Sequence, residues 1–250
     1  MKKIFWLFGM LMSAVGFIYA DSPLTSTDFY RAYLDVPIVK KAADSPGKLT
    51  QEMMEYLHDD KNPLDKRIAL VNAVGWNIEN QSTLKDYIEF CYEMLESENG
   101  VIADTAVNIM DEHYVETEIT IDPSTLYLDE EAVVVEVDDA YMLQTVIENA
   151  NSEQLAVLVY LQAMSDYFDT QNNYAFMEFA MQTPLMNKQS FMLPMGLVLA
   201  QTALDMGDLG NIYPAMNFYL FSPEIQDVRP DAIKIIMDYI NEYKEYADRE

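Results

Sequence analysis

Two histidines lie beside carboxylates, and they are the residues best suited to bind a metal ion or transfer a proton. His113 follows two acidic residues and precedes Glu116 by three positions, whereas His58 is followed by two aspartates. An imidazole among carboxylates can hold zinc or act as a general base. The spacing of zinc proteases, two histidines four residues apart, is absent, and a histidine that ends a helix interacts favourably with the helix dipole. We therefore expect a helix-end role for His58 and a surface cluster around His113.

Motifs for nucleophilic catalysis and for nucleotide cofactors are absent. The sequence contains no G-x-S-x-G and neither of the glycine-rich phosphate loops, and it has only 8 glycines. An EF-hand-like pattern of oxygen ligands begins at Asp169. However, Tyr174 stands where the calcium loop needs glycine, and Ala180 stands where it needs glutamate. The sequence therefore predicts neither a cofactor nor a specific metal site.

The single cysteine, Cys91, belongs to an apolar stripe with helical spacing. Leu84, Ile88, Cys91 and Leu95 recur every three or four residues, which is typical of the buried face of a helix. One cysteine cannot form a disulfide within its own chain. We therefore predict that Cys91 is a buried and unreactive thiol.

Charge is the most unusual property of this sequence. The chain has 42 acidic and 15 basic residues, and between Lys85 and Lys188 it has no lysine or arginine at all. Nucleic-acid binding needs clustered basic side chains, so this class of function is excluded. A surface of one sign attracts partners of the opposite sign. We therefore expect a basic protein as the partner.

The predicted contact surface lies in the acidic middle of the chain. It consists of Asp129, Glu130, Glu131, Glu136, Asp138 and Asp139. The preferred interpretation is a protein-binding module of the inhibitor, immunity-protein or envelope-scaffold type. A carboxylate-dependent hydrolase and a protein that binds divalent cations diffusely remain alternatives, and the acids could also serve only to keep the protein soluble.

The first 20 residues are typical of a secretory signal peptide. Lys2 and Lys3 form a basic start, and residues 4–17 form an uncharged and mostly apolar run. Ala20 is the expected last residue of the signal, although Ile18 departs from the usual small residue at the third position before the cut. We expect an exported protein, periplasmic or secreted, that does not insert into the membrane after cleavage.

Helical periodicity predominates in the rest of the chain and predicts a mainly α fold. Two helical halves, residues 21–114 and 138–250, are expected to form one compact unit, and a small β-hairpin or meander is expected at 115–137, where valine, isoleucine and threonine are frequent. Residues 68–90 and 157–179 resemble each other weakly as helix–loop–helix outlines. Antiparallel helix hairpins in a solenoid-like or bundled array would produce this pattern.

Overall fold

The computed structural model describes residues 22–75, 82–99, 137–166 and 168–247, and it confirms a mainly helical protein. The side chains of residues 96–99 and 137–140 are outside this description. Two short 3-10 segments, Phe29–Tyr33 and Pro184–Asn187, accompany the α-helices, and a third, Asn241–Tyr243, precedes the last one. In chain order, the α-helices are α1 (Pro37–Asp44), α2 (Gln51–His58), α3 (Leu64–Val74), α4 (Ser82–Asn99), α5 (Val137–Asn149), α6 (Ser152–Ser165), α7 (Thr170–Ala180), α8 (Gln189–Asp205), α9 (Leu209–Phe221), α10 (Pro230–Ile240) and α11 (Lys244–Ala247).

Local signals in the sequence explain where several helices begin. The Thr50 side chain accepts a hydrogen bond from the Met53 amide at the start of α2. Asn151 begins α6 with a complete capping box, in which its side chain and that of Gln154 each accept from the other residue's backbone amide. Pro37 occupies the first turn of α1, where its missing N–H is not needed. These three starts agree with the sequence.

Helix α9 begins earlier than its sequence suggests. Pro214 is a typical helix-start residue, and the sequence predicts a helix from that position. In the structure, the helix begins at Leu209, and Pro214 lies inside it. Ile212, one turn into the helix, is fully buried, so tertiary packing outweighs the local start signal and the hydrogen bond that an internal proline removes.

Helix α6 is the centre of the core. Every residue from Leu155 to Ser165 is buried, as expected for a helix that is apolar on all sides. It packs against α3, α4, α7 and α8. The backbones of α8 and α9 approach each other closely at Gly196, where a Cβ atom would lie only 2.7 Å from the Cβ of Tyr219.

The predicted β insert at 115–137 falls almost entirely outside the described residues. Within the described ranges, the only β-type pairing is an isolated parallel bridge between Lys188 and Ile225. Among the residues that the structure describes, no helix is long and apolar enough to span a bilayer.

Candidate functional site

The structure locates two of the six predicted contact residues. The backbones of Asp138 and Asp139 lie in the first turn of α5. Asp129, Glu130, Glu131 and Glu136 lie outside the described residues. His113 also lies outside them, so the prediction of a surface cluster around it stays a prediction.

Beyond Lys85, helices α4 and α5 lie within the described part of the stretch that has no lysine or arginine. They pack against each other, and each contributes buried apolar residues to the core, among them Ile88 and Leu143. Away from this contact, carboxylates follow a stripe along α4 with helical spacing, and the outer side of α5 carries Glu148. The rings of Tyr92 and Tyr141 meet edge to face, with centroids 6.3 Å apart. We define the acidic face as Asp86, Glu89, Glu93, Tyr92, Tyr141 and Glu148.

The acidic face combines two kinds of side chain that bind cations. Carboxylates attract lysine and arginine through charge, and a phenol ring attracts them through its electron-rich face. The one basic residue at its edge is Lys85, whose ammonium is 3.9 Å from a Glu89 oxygen, with both side chains about half exposed. Such an exposed pair contributes little energy. The face can therefore accept basic groups from another molecule.

A buried arginine forms a second polar centre that sequence reasoning missed. Arg67 of α3 has no exposed side-chain surface, and its guanidinium binds Glu153 at the start of α6 and Asp60 at 3.3 Å. Lys188 donates a further 2.6 Å bond to Glu153. The Arg67 Nε has no hydrogen-bond partner among the described residues. A basic residue just before the apolar run 68–71 was the available sequence signal, but its partner Glu153 is 86 positions away.

An open cleft of about 320 Å³ lies over this arginine. Its lining consists of Asp60, Asn151, Ser152, Glu153 and Leu185. The Asn151 amide donates a 2.6 Å hydrogen bond to Asp60, and Glu153 is held by two cations. Because both carboxylates of the cleft are bound by neighbouring side chains, the arrangement resembles a structural ion-pair network more than an acid–base pair.

A carboxylate with a raised pKa lies elsewhere, at the start of α3. Burial raises the pKa of Asp65, although the Tyr33 hydroxyl bonded to it works in the opposite direction. The Arg229 guanidinium covers the Tyr33 ring, 4.5 Å from its centroid, and donates to Asp35 at 3.1 Å. Asp65 is not among the residues that line the cleft, so it is not placed to act on a substrate there.

Cys91 is buried, as its apolar stripe predicts. Burial raises the pKa of its thiol to about 12. His58 is the last residue of α2, also as predicted. Their proximity was not predicted, since Cys91 Sγ lies 3.8 Å from His58 Nδ1 although the residues are 33 positions apart.

Comparisons with protein-family models, curated proteins and solved structures give no match. Function must therefore be argued from the residues of this chain.

Proposed function

We propose that this protein is an exported module that binds a basic protein through its acidic face. The observation that carries the proposal is the pairing of α4 and α5, which gathers exposed carboxylates and tyrosines on neighbouring helices. Basic side chains of a partner would gain both charge attraction and aromatic contact there. On sequence grounds, the predicted contact residues Asp129, Glu130, Glu131, Glu136, Asp138 and Asp139 belong to the same proposal.

The cleft favours binding over hydrolysis as the activity of this protein. A carboxylate-dependent hydrolase needs one carboxyl group that can give up or accept a proton near the substrate. The carboxylates of the cleft are Asp60 and Glu153, and both bind Arg67. Both carboxylates therefore serve as ion-pair partners within the protein.

We propose three further features of this protein on sequence grounds. The helices are arranged as antiparallel hairpins in a solenoid-like or bundled array, which the resemblance between residues 68–90 and 157–179 supports. Residues 115–137 form a small β insert, supported by their valine, isoleucine and threonine content. Cleavage after Ala20 places the protein in the periplasm or outside the cell.

The test measures the rate of association with the partner as well as the affinity. Native protein first captures the partner from the cell envelope, and surface plasmon resonance then follows the purified pair at low and high salt. Reversing Asp86, Glu89 and Glu93 to lysine should slow association, because charges at the edge of an interface act mainly on the encounter rate. Reversing Asp129, Glu130 and Glu131 should have the same effect.

A matched control separates the acidic face from total charge. Changing Asp231, Asp238 and Glu242, exposed acids near the C-terminus, to lysine alters the net charge by the same amount. We expect this control to bind at nearly the wild-type rate. Equal slowing in both variants, or association that does not change with salt, would refute the acidic face as the binding surface. Weak binding of several calcium ions by the wild type, reduced in the face variant, would favour the alternative of diffuse cation binding.

A further inference from the structure

A histidine, a cysteine and a tyrosine meet between α2 and α4. His58 Nδ1 and Cys91 Sγ form a long hydrogen bond of 3.8 Å. The imidazole and the Phe90 ring pack edge to face, with ring centroids 5.8 Å apart and planes at 86°. Tyr87 precedes Cys91 by one helical turn and is fully buried. None of these residues belongs to the acidic face, so a function of this cluster does not depend on protein binding there.

The Tyr87 hydroxyl lacks a strong hydrogen-bond acceptor, and a stronger acceptor at the Cys91 sulfur would satisfy it. It interacts with the Cys91 thiol, but it makes no hydrogen bond of normal geometry to any described residue. A buried hydroxyl without a partner destabilises the fold. A neutral thiol is a weak acceptor, whereas a metal-bound thiolate would satisfy the hydroxyl.

The distance between the two ligand atoms suits a metal ion of low coordination number. A metal about 2.3 Å from sulfur and about 2.0 Å from nitrogen would bridge 3.8 Å with an angle of about 120° at the ion. This angle is trigonal, and it is wider than the tetrahedral angle that zinc prefers. In the described ranges, no cluster of three or more histidine, cysteine or carboxylate side chains is placed to hold a metal, and zinc usually takes four ligands.

The neighbouring side chains suit a soft ion. Met94 follows Cys91 by three residues on α4, and Met54 precedes His58 by four residues on α2, so helical spacing places each near one ligand. Both methionines are half-buried against the core. Thiolate and thioether ligands favour monovalent copper, and either methionine could supply a third ligand.

We propose that His58 and Cys91 form a binding site for monovalent copper, with Tyr87 as the positioning residue that donates to the thiolate. A sulfur–copper bond replaces the sulfur–hydrogen bond, the thiol proton leaves to solvent, and the oxidation state of copper does not change. The half-buried imidazole of His58 provides the route from the surface. Copper binding therefore links α2 to α4.

The experiment is an anaerobic titration of the processed full-length protein with monovalent copper, in competition with the coloured chelator bathocuproine disulfonate. We expect one copper per chain and a near-ultraviolet thiolate absorption. Cys91→Ser and His58→Gln should each weaken binding by at least about 100-fold, and Tyr87→Phe by about 10–100-fold, as for other residues that orient metal ligands. Met206→Leu, which removes an exposed thioether, is the control and should bind as the wild type does.

Several results would overturn the proposal. Binding that survives Cys91→Ser means adventitious sites at methionines, and binding lost in Cys91→Ser but kept in His58→Gln means a thiol acting alone. Zinc bound as tightly as copper would contradict the trigonal soft-ion assignment. If Cys91→Ser fails to fold by circular dichroism, His58→Gln still decides, because its side chain is only half-buried.

Discussion

Replacement of the buried Arg67 by methionine tests whether its ion-pair network stabilises the fold. Methionine keeps most of the side-chain length and adds no charge. The change removes a charge-assisted bond to Glu153, worth about 1.5–3 kcal/mol, and a pair with Asp60 whose side chain is 53% exposed. An exposed pair contributes only about 0–1 kcal/mol.

Two effects reduce the expected loss of stability. The buried Nε of Arg67 has no partner in the described part of the chain, so its removal returns about 1–2 kcal/mol of desolvation. Glu153 also keeps the 2.6 Å bond from Lys188, so it is not left as an isolated charge. Central values of roughly 2.5–3 kcal/mol lost and about 1.5 kcal/mol returned lead us to expect that Arg67→Met lowers the free energy of unfolding by about 1 kcal/mol. For a chain of this size, 1 kcal/mol corresponds to about 2–4 °C of melting temperature.

Urea unfolding followed by circular dichroism measures this difference. Lys188→Met is the matched control, and it should cost less than about 1 kcal/mol because Lys188 is partly exposed and makes one bond to Glu153. A double-mutant cycle with Glu153→Gln isolates the coupling between Arg67 and Glu153. Stability of Arg67→Met equal to or above that of the wild type would refute the reasoning, since the desolvation of the network would then exceed its attraction.

Three further predictions concern packing, pH and processing. Gly196→Ala should lower the free energy of unfolding by about 1–3 kcal/mol because the new methyl group meets Tyr219. Gly207 lies in open space with a φ of 73°. Gly207→Ala should therefore lower the free energy of unfolding by about 1 kcal/mol through the backbone conformation alone. Asp65→Asn should stabilise the protein at pH 7, because burial raises the pKa of this carboxyl and its ionisation therefore opposes folding. The gain in unfolding free energy should shrink as the pH falls towards the ordinary aspartate pKa. Denaturant unfolding at pH 7 and pH 4 measures this change. A lower unfolding free energy for Asp65→Asn than for the wild type at pH 7 would contradict the effect of burial. N-terminal sequencing of the native protein should begin at Asp21, and an intact Met1 would contradict export.

Local patterns in the sequence predicted many of the helices and some of their limits. Capping residues such as Thr50 and Asn151 form hydrogen bonds with their own helix, so their effect needs no partner from elsewhere. The apolar stripe on α4 likewise predicted the burial of Cys91, because helical spacing fixes which residues share a face. The start of α9 was predicted wrongly, since a proline signal was overridden by packing around Ile212.

Of the candidate site, the sequence predicted only the negative charge. The absence of basic residues between Lys85 and Lys188 is a property of the sequence, and it indicated an acidic surface before any fold was known. The contact between Tyr92 of α4 and Tyr141 of α5 on that surface was not predicted. It depends on α4 and α5 packing side by side, although the two helices are separated by residues 100–136.

The sequence by itself determined the helical class, the one-sided charge and the buried faces, because periodicity and composition act over a few residues. Only the tertiary structure decided which faces meet. Arg67 binds Glu153, which is 86 positions away in the sequence, and Cys91 contacts His58, which is 33 positions away. Helical spacing tells which side of a helix is buried, but many helices in this chain offer a similar apolar face. The choice among them depends on the fit of whole surfaces, which arises only when the core packs.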